Sequence, residues 1–445
     1  MKKILILILI FGSLRILAQQ TAFSLEEAID YAVEHNIQVI KADNEIIKAK
    51  KKVWETTAMG LPQASGNISY QRFIDKPVNL MPARIFNPQA PEDQYIPVSF
   101  GTDQNMKWSA TINQLIFSGS YITGLYSSRV YQQISELASV KTKQKIKEIT
   151  ARAYVNAALA DKSLEIVQNN IAVLEKNLSD TRQMYQNGFV EETDVTQLEI
   201  TLSELVNQKK FLENMKTTAY EMLNYVMGRN PDETLVLTDN AETLANKASD
   251  LRLLQSDFNP SNNIDYKIME NKVKSGKLKL RYEQSQMLPT VAAFYSYGKN
   301  AYHNEFNFFN SDQSWYKQSF IGISINIPLF SSFVNHKRIG QARIDYENTK
   351  MEFDNLQRQL KITHKKLVNQ YINALDKLET KRKNMKLASQ IESRERIKYN
   401  EGVGNSFQLN MARMQLYQAQ QQYLNALNDA ILQKIKLQNF LNNEK

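Results

Sequence analysis

Between residues 164 and 178 the apolar side chains recur at steps of three and four, as Leu164, Val167, Ile171, Leu174 and Leu178. After a turn near Gly188 the spacing resumes at Val195, Leu198, Leu202, Leu205 and Leu212. It returns near the end of the chain as Leu409, Ala412, Leu416, Ala419, Tyr423, Ala426 and Ala430. A seam of this kind packs against another helix by fitting knobs into holes. Elsewhere the period is two. Met106, Trp108, Ala110 and Ile112 alternate with Lys107, Ser109, Thr111 and Asn113, and Ile321, Ile323, Ile325 and Ile327 alternate with Gly322, Ser324 and Asn326. Val291, Ala293, Tyr295 and Tyr297 share a third face, blurred by Ala292 and Phe294, and a segment through Ile68, Tyr70 and Phe73 is the least regular. Alternation of this length predicts strands.

The two periods succeed each other twice in the same order. The first half reads as a helix over 25–57 capped by Ser24 and stopped by Gly60 and Pro62, strands at 64–75 and 105–117, then helices 120–187 and 194–227. The loop between those two strands, 76–104, holds five of the ten prolines. The second half reads as helix 263–287, strands 290–302 and 315–328, and helices 333–400 and 406–442. Local markers repeat with the elements. Leu61-Pro62 before Tyr70 returns as Leu288-Pro289 before Tyr297, Phe117-Ser118-Gly119 as Phe330-Ser331-Ser332, and Tyr185-Gln186-Asn187-Gly188 as Tyr399-Asn400-Glu401-Gly402. The chain therefore divides into a leader (1–18), a first repeat (19–230), a linker (231–262) and a second repeat (263–445), an internal duplication.

Residues 1–18 carry two lysines, an apolar run from Ile4 to Leu14 and Ala18, the pattern of a secretory signal peptide cleaved after Ala18. The chain has 445 residues, no cysteine and four histidines, no two of them four apart, so disulfides, thiolate chemistry and helix-borne zinc sites are not expected. No phosphate-cradling glycine loop follows a strand, and no nucleophile, base and orienter are grouped, so neither an enzyme nor a cofactor is expected. The formal charge of +9 falls to +6 without Lys2, Lys3 and Arg15, and it is spread among helical charge pairs, which gives nucleic-acid binding no support.

At 1.5 Å per residue, helices 120–187 and 333–400 would each run ~100 Å, while the helices after the turns run ~50 Å. A short helix covers half of a long one, and the N-terminal helix of each half supplies the remaining cover. No apolar run after the leader is long enough for a spanning helix, so a membrane part has to be made of strands. Trp108, Ile112, Ile321, Ile323 and Ile325 are the lipid-facing candidates, with Tyr70, Phe73, Tyr295, Tyr297, Trp315 and Tyr316 as an aromatic girdle. Four strands cannot close a barrel, so several copies would share one.

The repeated order of helix, hairpin, long helix and glycine tip, with Phe117-Ser118-Gly119 and Phe330-Ser331-Ser332 at the strand-to-helix junctions, resembles the TolC-type outer-membrane efflux proteins. That resemblance spans residues 24–442. It implies an α+β membrane protein: a homotrimer whose twelve strands form one outer-membrane barrel, continued by an all-α coiled-coil barrel in the periplasm. It implies a passive exit duct of a tripartite efflux pump or a type I secretion system, working with a periplasmic adaptor and an inner-membrane pump or ABC exporter. By the same resemblance Gly188, Phe189, Gly402 and Val403 are adaptor-docking candidates, although left-handed turn positions alone would also select these glycines. Some relatives carry paired aspartates after the second tip. Here Gln408 and Met411 hold the corresponding positions, with Asn410 between, and Glu191, Glu192 and Asp194 follow the first tip, as an acidic aperture or as ordinary favourable charges at a helix start. The competing expectation is an exported coiled-coil structural or adhesion protein with a small soluble β-domain.

Overall fold

The computed structural model describes residues 22–441 apart from 257, so the expected leader lies outside the described residues. Strand β1 (Ala22–Phe23) leads into α1 (Leu25–His35), which Ser24 opens with a capping box. The Ser24 Oγ accepts from the Glu27 amide at 3.3 Å, and the Ser24 amide donates to Glu27 Oε2 at 2.8 Å. α2 (Ile37–Ala58) and β2 (Gln63–Arg72) follow. A hairpin of β3 (Val78–Pro82) and β4 (Tyr95–Ser99) comes next, then β5 (Gln104–Ser118), α3 (Gly119–Gln186) and α4 (Glu192–Met227). After β6 (Val236–Leu237) and α5 (Ala241–Ala248) come α6 (Ile264–Ser285), β7 (Thr290–His303) and β8 (Tyr316–Asn326). α7 (Val334–Asn400) and α8 (Ser406–Leu441) complete the chain. The two long helices have 68 and 67 residues and each is followed by one of 36.

Three expectations need correction. The helix expected over 25–57 is broken at Asn36, whose backbone is extended at ψ 130°. Its side chain donates to the Val226 carbonyl at 2.6 Å and accepts from the Gln38 amide at 2.8 Å, so one residue ends α1 and caps α2. The segment 76–104, expected as a loop, holds the β3–β4 hairpin, in which Leu80 pairs with Pro97. Prolines are tolerated there because each strand has only one neighbour. The strand expected over 315–328 stops at Asn326, just before Pro328, which lacks a ladder donor.

The described residues form two compact units, each drawing on both halves of the sequence: residues 48–133 with 271–350, and residues 22–47 with 134–270 and 351–441. In the first, β2-β5-β7-β8 make one antiparallel sheet. Register puts Ala64, Ile112, Tyr295 and Ile321 in one row, and Ile68, Trp108, Lys299 and Lys317 in another row of the same face. The opposite face carries rows such as Asn67, Ser109, Gly298 and Gln318. The turn before β5 meets the turn after β7: the Asp103 amide donates to Asn304 Oδ1 at 3.1 Å, and Tyr70 of β2 meets Phe306 edge-on at 5.4 Å.

The second unit is helical. Val167, Ile171, Leu174 and Leu178 of α3 bury themselves against Val195, Leu198, Leu205 and Leu212 of α4. A larger core gathers Phe23, Ala28, Ala32, Tyr154, Leu223, Met227, Leu244, Leu427 and Ile431. Each large aliphatic side chain buried this way contributes about 1.5–3 kcal/mol before conformational entropy is set against it. The short parallel pair β1–β6 closes this core. Asp239, just after β6, accepts from the Leu25 amide at 2.8 Å, and the fully buried Tyr154 donates to the Phe23 carbonyl at 2.8 Å.

Candidate functional site at the helix tips

The turns at the ends of α3 and α7 share one design. Gly188 has φ +79° and Gly402 φ +74°, with open space where a Cβ would stand, so the backbone angle rather than crowding selects glycine. The Phe189 amide donates back to the Met184 carbonyl at 2.9 Å and the Val403 amide to the Lys398 carbonyl at 3.0 Å, satisfying the last carbonyls of each long helix. Phe189 and Val403 project outward, 80% and 79% exposed. Each apolar side chain thus stands at the apex of a turn that packing does not require it to occupy.

The acidic candidates serve different ends. Glu191 caps α4 and shares a capping box with Asp194, whose Oδ2 accepts from the Glu191 amide at 3.3 Å. Asp194 Oδ1 accepts from the Ser406 hydroxyl at 2.6 Å, tying the start of α4 to the start of α8. Glu192 stays exposed in the first turn, where its charge favours the helix. Of the positions after the second tip, the Gln408 amide is capped by Asn405 Oδ1 at 2.8 Å, and Asn410 lies 3.4 Å from Thr201 Oγ1. Asp194, Ser406 and Asn410 line one cavity of about 180 Å³, so the structure brings Asp194 and Asn410 together and leaves Glu191 and Glu192 outside that lining.

Two further ties were not read from the sequence. Thr181 and Tyr399, both buried, share a hydrogen bond of 2.9 Å between α3 and α7. A signal existed: Thr181 continues the seam Leu174, Leu178 by another step of three, and a polar residue in a seam fixes register. Arg413, with a side chain only 14% exposed, reaches Glu392 at 3.4 Å, and Arg396 sits 3.8 Å from the same carboxylate. Burial pulls the Arg413 guanidinium's pKa down while Glu392 resists, and the cost of stripping water from the charge makes the pair depend on both partners. This pair lines a second cavity of about 230 Å³ with Asn170, Leu174, Thr201 and Tyr417.

In the sheet, the five candidates expected to meet lipid lie on one face. Ile112 pairs with Tyr295 and Tyr295 with Ile321, while Ile323 and Ile325 pair with Ala293 and Val291. Ile321, Ile323 and Ile325 are exposed, whereas Trp108 is half-buried with its ring edge-to-face on Tyr297 at 5.7 Å. Among the described residues no helix is long and apolar enough to cross a membrane, and no group of three or more His, Asp or Glu is placed to hold a metal ion.

Residues 261–443 match the family model for outer membrane efflux proteins. The chain is 24% identical over 210 residues to the outer membrane protein TolC of Vibrio cholerae serotype O1, a match spanning 44% of this chain and 44% of that protein. The fold extends further than the sequence match. The outer membrane protein VceC of Vibrio cholerae superposes with a TM-score of 0.71 at 16% identity, covering 94% of this chain and 95% of VceC. The open state of the MtrE outer membrane channel of Neisseria gonorrhoeae superposes with a TM-score of 0.72 at 14% identity, covering 94% of this chain and 88% of MtrE. Residues 261–443 thus match the outer membrane efflux protein model, and over 94% of its length the chain shares the fold of the VceC and MtrE proteins.

Proposed function

We propose that the chain is the outer-membrane exit duct of an efflux pump, a passive conduit completed by a homotrimer. The observation that carries this reading is the sheet β2-β5-β7-β8, which has an exposed isoleucine row on one face and two unpaired edges, β2 and β8. In hydrocarbon an unpaired edge costs several kcal/mol for each orphaned backbone group, so a lipid-facing sheet of four strands has to pair β8 of one copy with β2 of the next. Head-to-tail contacts of this kind give a ring when the rotation between copies closes, and closure is what leaves no edge in lipid. Three copies supply twelve strands, within the range of outer-membrane barrels. The duplicated pattern of two strands, a helix of about 70 residues and one of about 36 then repeats six times around the ring.

The helical unit would lie in the periplasm of a Gram-negative cell. Its tips, with Phe189 and Val403 presented on glycine turns, would take the periplasmic adaptor. The adaptor would couple the duct to an inner-membrane pump or ABC exporter, and no chemistry is asked of the duct itself. Asp194, Glu191, Glu192, Gln408 and Asn410 would shape the periplasmic aperture. The ties Asp194–Ser406 and Thr181–Tyr399 would hold the closed arrangement, and an adaptor would open it only by binding the open arrangement more tightly.

The test is extraction and conductance. The full chain should sediment with outer membranes, extract in detergent at three times the mature chain mass, and conduct ions in planar bilayers. A water-soluble monomer would instead identify an exported coiled-coil structural or adhesion protein.

A further inference from the structure

The expectation of positive charge spread among helical pairs needs correction, because the fold concentrates it. Within the sheet-bearing unit, the helix ends that adjoin the strands are residues 48–58 of α2, 119–133 of α3, 271–285 of α6 and 334–350 of α7. Together they hold fourteen Lys and Arg against four Asp and Glu, an excess of ten that exceeds the chain's net charge of +9. The strands and loops of the same unit hold six of each sign. All fourteen cations are exposed, Lys50, Lys51, Lys277, Lys337 and Arg338 among them.

These helix ends form a layer in the order of the strands they join. Tyr121 of α3 donates to the Thr57 carbonyl of α2 at 3.1 Å, Asn271 of α6 to the Val130 carbonyl of α3 at 3.3 Å, and Lys279 of α6 pairs with Asp345 of α7 at 2.7 Å. Exposed large side chains accompany this basic layer and the apolar strand face. The row Ile321, Ile323, Ile325 and Ile327 continues at the same step to Leu329, which is 90% exposed. Phe330 and Phe333 stand beside it, edge-to-face at 6.2 Å, and Trp54 is exposed among the lysines of α2. The backbone at Ser332 and Phe333 has positive φ, 48° and 63°, a costly arrangement for a non-glycine pair.

We propose that this collar binds anionic phospholipid, with Leu329, Phe330, Phe333 and Trp54 seated at the headgroup boundary and the basic layer on the phosphates of the adjoining leaflet. The proposal rests on the outer-membrane reading above and deepens it. Two features choose the occupant. Along the chain the isoleucine row of β8 leads through Leu329 and Phe330 to Phe333, and the cations of α7 begin four residues later at Lys337, while Trp54 stands beside Lys50, Lys51 and Lys52 of α2. An apolar face followed by aromatics and then clustered cations follows the order in which a leaflet presents acyl chain, interface and phosphate.

The test is native mass spectrometry of the detergent-solubilised full chain with equimolar phosphatidylglycerol and phosphatidylcholine. The chain should retain phosphatidylglycerol in preference by about tenfold or more, and the preference should weaken at high salt. Combining Lys50→Gln, Lys51→Gln, Lys277→Gln, Lys337→Gln and Arg338→Gln should abolish it. Removing five cations of the helical unit, by Lys176→Gln, Lys210→Gln, Lys365→Gln, Lys383→Gln and Lys386→Gln, should leave it intact. Equal retention of both lipids, or equal loss in the two variants, overturns the inference even if the chain conducts ions as a duct. A chain that stays water-soluble and fails to float with phosphatidylglycerol vesicles overturns this inference and the outer-membrane reading together.

Discussion

Tyr154 joins three segments through one hydroxyl, which donates to the Phe23 carbonyl and accepts from the Asp239 amide at 3.0 Å. Burial raises its pKa to about 12, so the phenol is neutral at every physiological pH. Tyr154→Phe keeps the ring and orphans the Asp239 amide, while the Phe23 carbonyl keeps the Thr238 amide at 3.0 Å. It should cost about 1–3 kcal/mol, read as a lower midpoint in chemical denaturation. Asp239 responds to acid. Burial alone would raise its carboxyl, but the Leu25 amide and Lys247 hold it below the usual carboxylate range. Its contribution is therefore complete above the ordinary aspartate value, near pH 4, and is lost as pH falls through the lower folded value. Asp239→Asn should flatten that acid limb of the stability profile, measured by thermal unfolding between about pH 5 and pH 2. At Gly228, φ is +83° and a Cβ would come within 2.4 Å of the His35 carbonyl oxygen, so Gly228→Ala should destabilise by about 1–3 kcal/mol. Ser24 as a cap was legible because capping chemistry is local. Asn36 was not, because its break in the helix depends on the Val226 carbonyl, 190 residues away in sequence.

Elements were legible in proportion to the regularity of their period. The leucine seam of α3 and α4 names nearly the same residues that pack, because a helix has one way to bury a stripe spaced at three and four. The β3–β4 hairpin was hidden: its prolines signal a loop, and only pairing between two short strands overrides them. Strand faces carry their own test. Ile323→Lys on the isoleucine face should cost about 2–4 kcal/mol if that face meets the middle of a bilayer, while Ser324→Lys on the opposite face should cost far less. Heat dissociation of the detergent-extracted oligomer would compare them. At the tips, Tyr399→Phe combined with Ser406→Ala removes both hydroxyl ties, and under the proposed gating it should raise the resting bilayer conductance.

At the level of the molecule, the compact units do not follow the halves of the sequence, since each takes helices from both. The absence of cysteine makes the proposed ring directly testable. A chain carrying Asn67→Cys in β2, paired in turn with Cys replacements at Gln318, Gly322 and Ser324 on the same face of β8, should give dimer and trimer bands on oxidation at one register. A band only at monomer mass for every pair would remove the shared barrel. The sequence by itself determined the order and kind of the long elements and the division of strand residues into an apolar and a polar set. Those properties are periodic, and a period is written along the chain. Tertiary structure decided the rest: the break at Asn36, the pairing of β1 with β6, the ties from Asp194 to Ser406 and from Thr181 to Tyr399, and the gathering of fourteen cations into one layer. Each of these joins residues far apart in sequence, and hydrogen-bond geometry and burial exist only once the chain has brought them together.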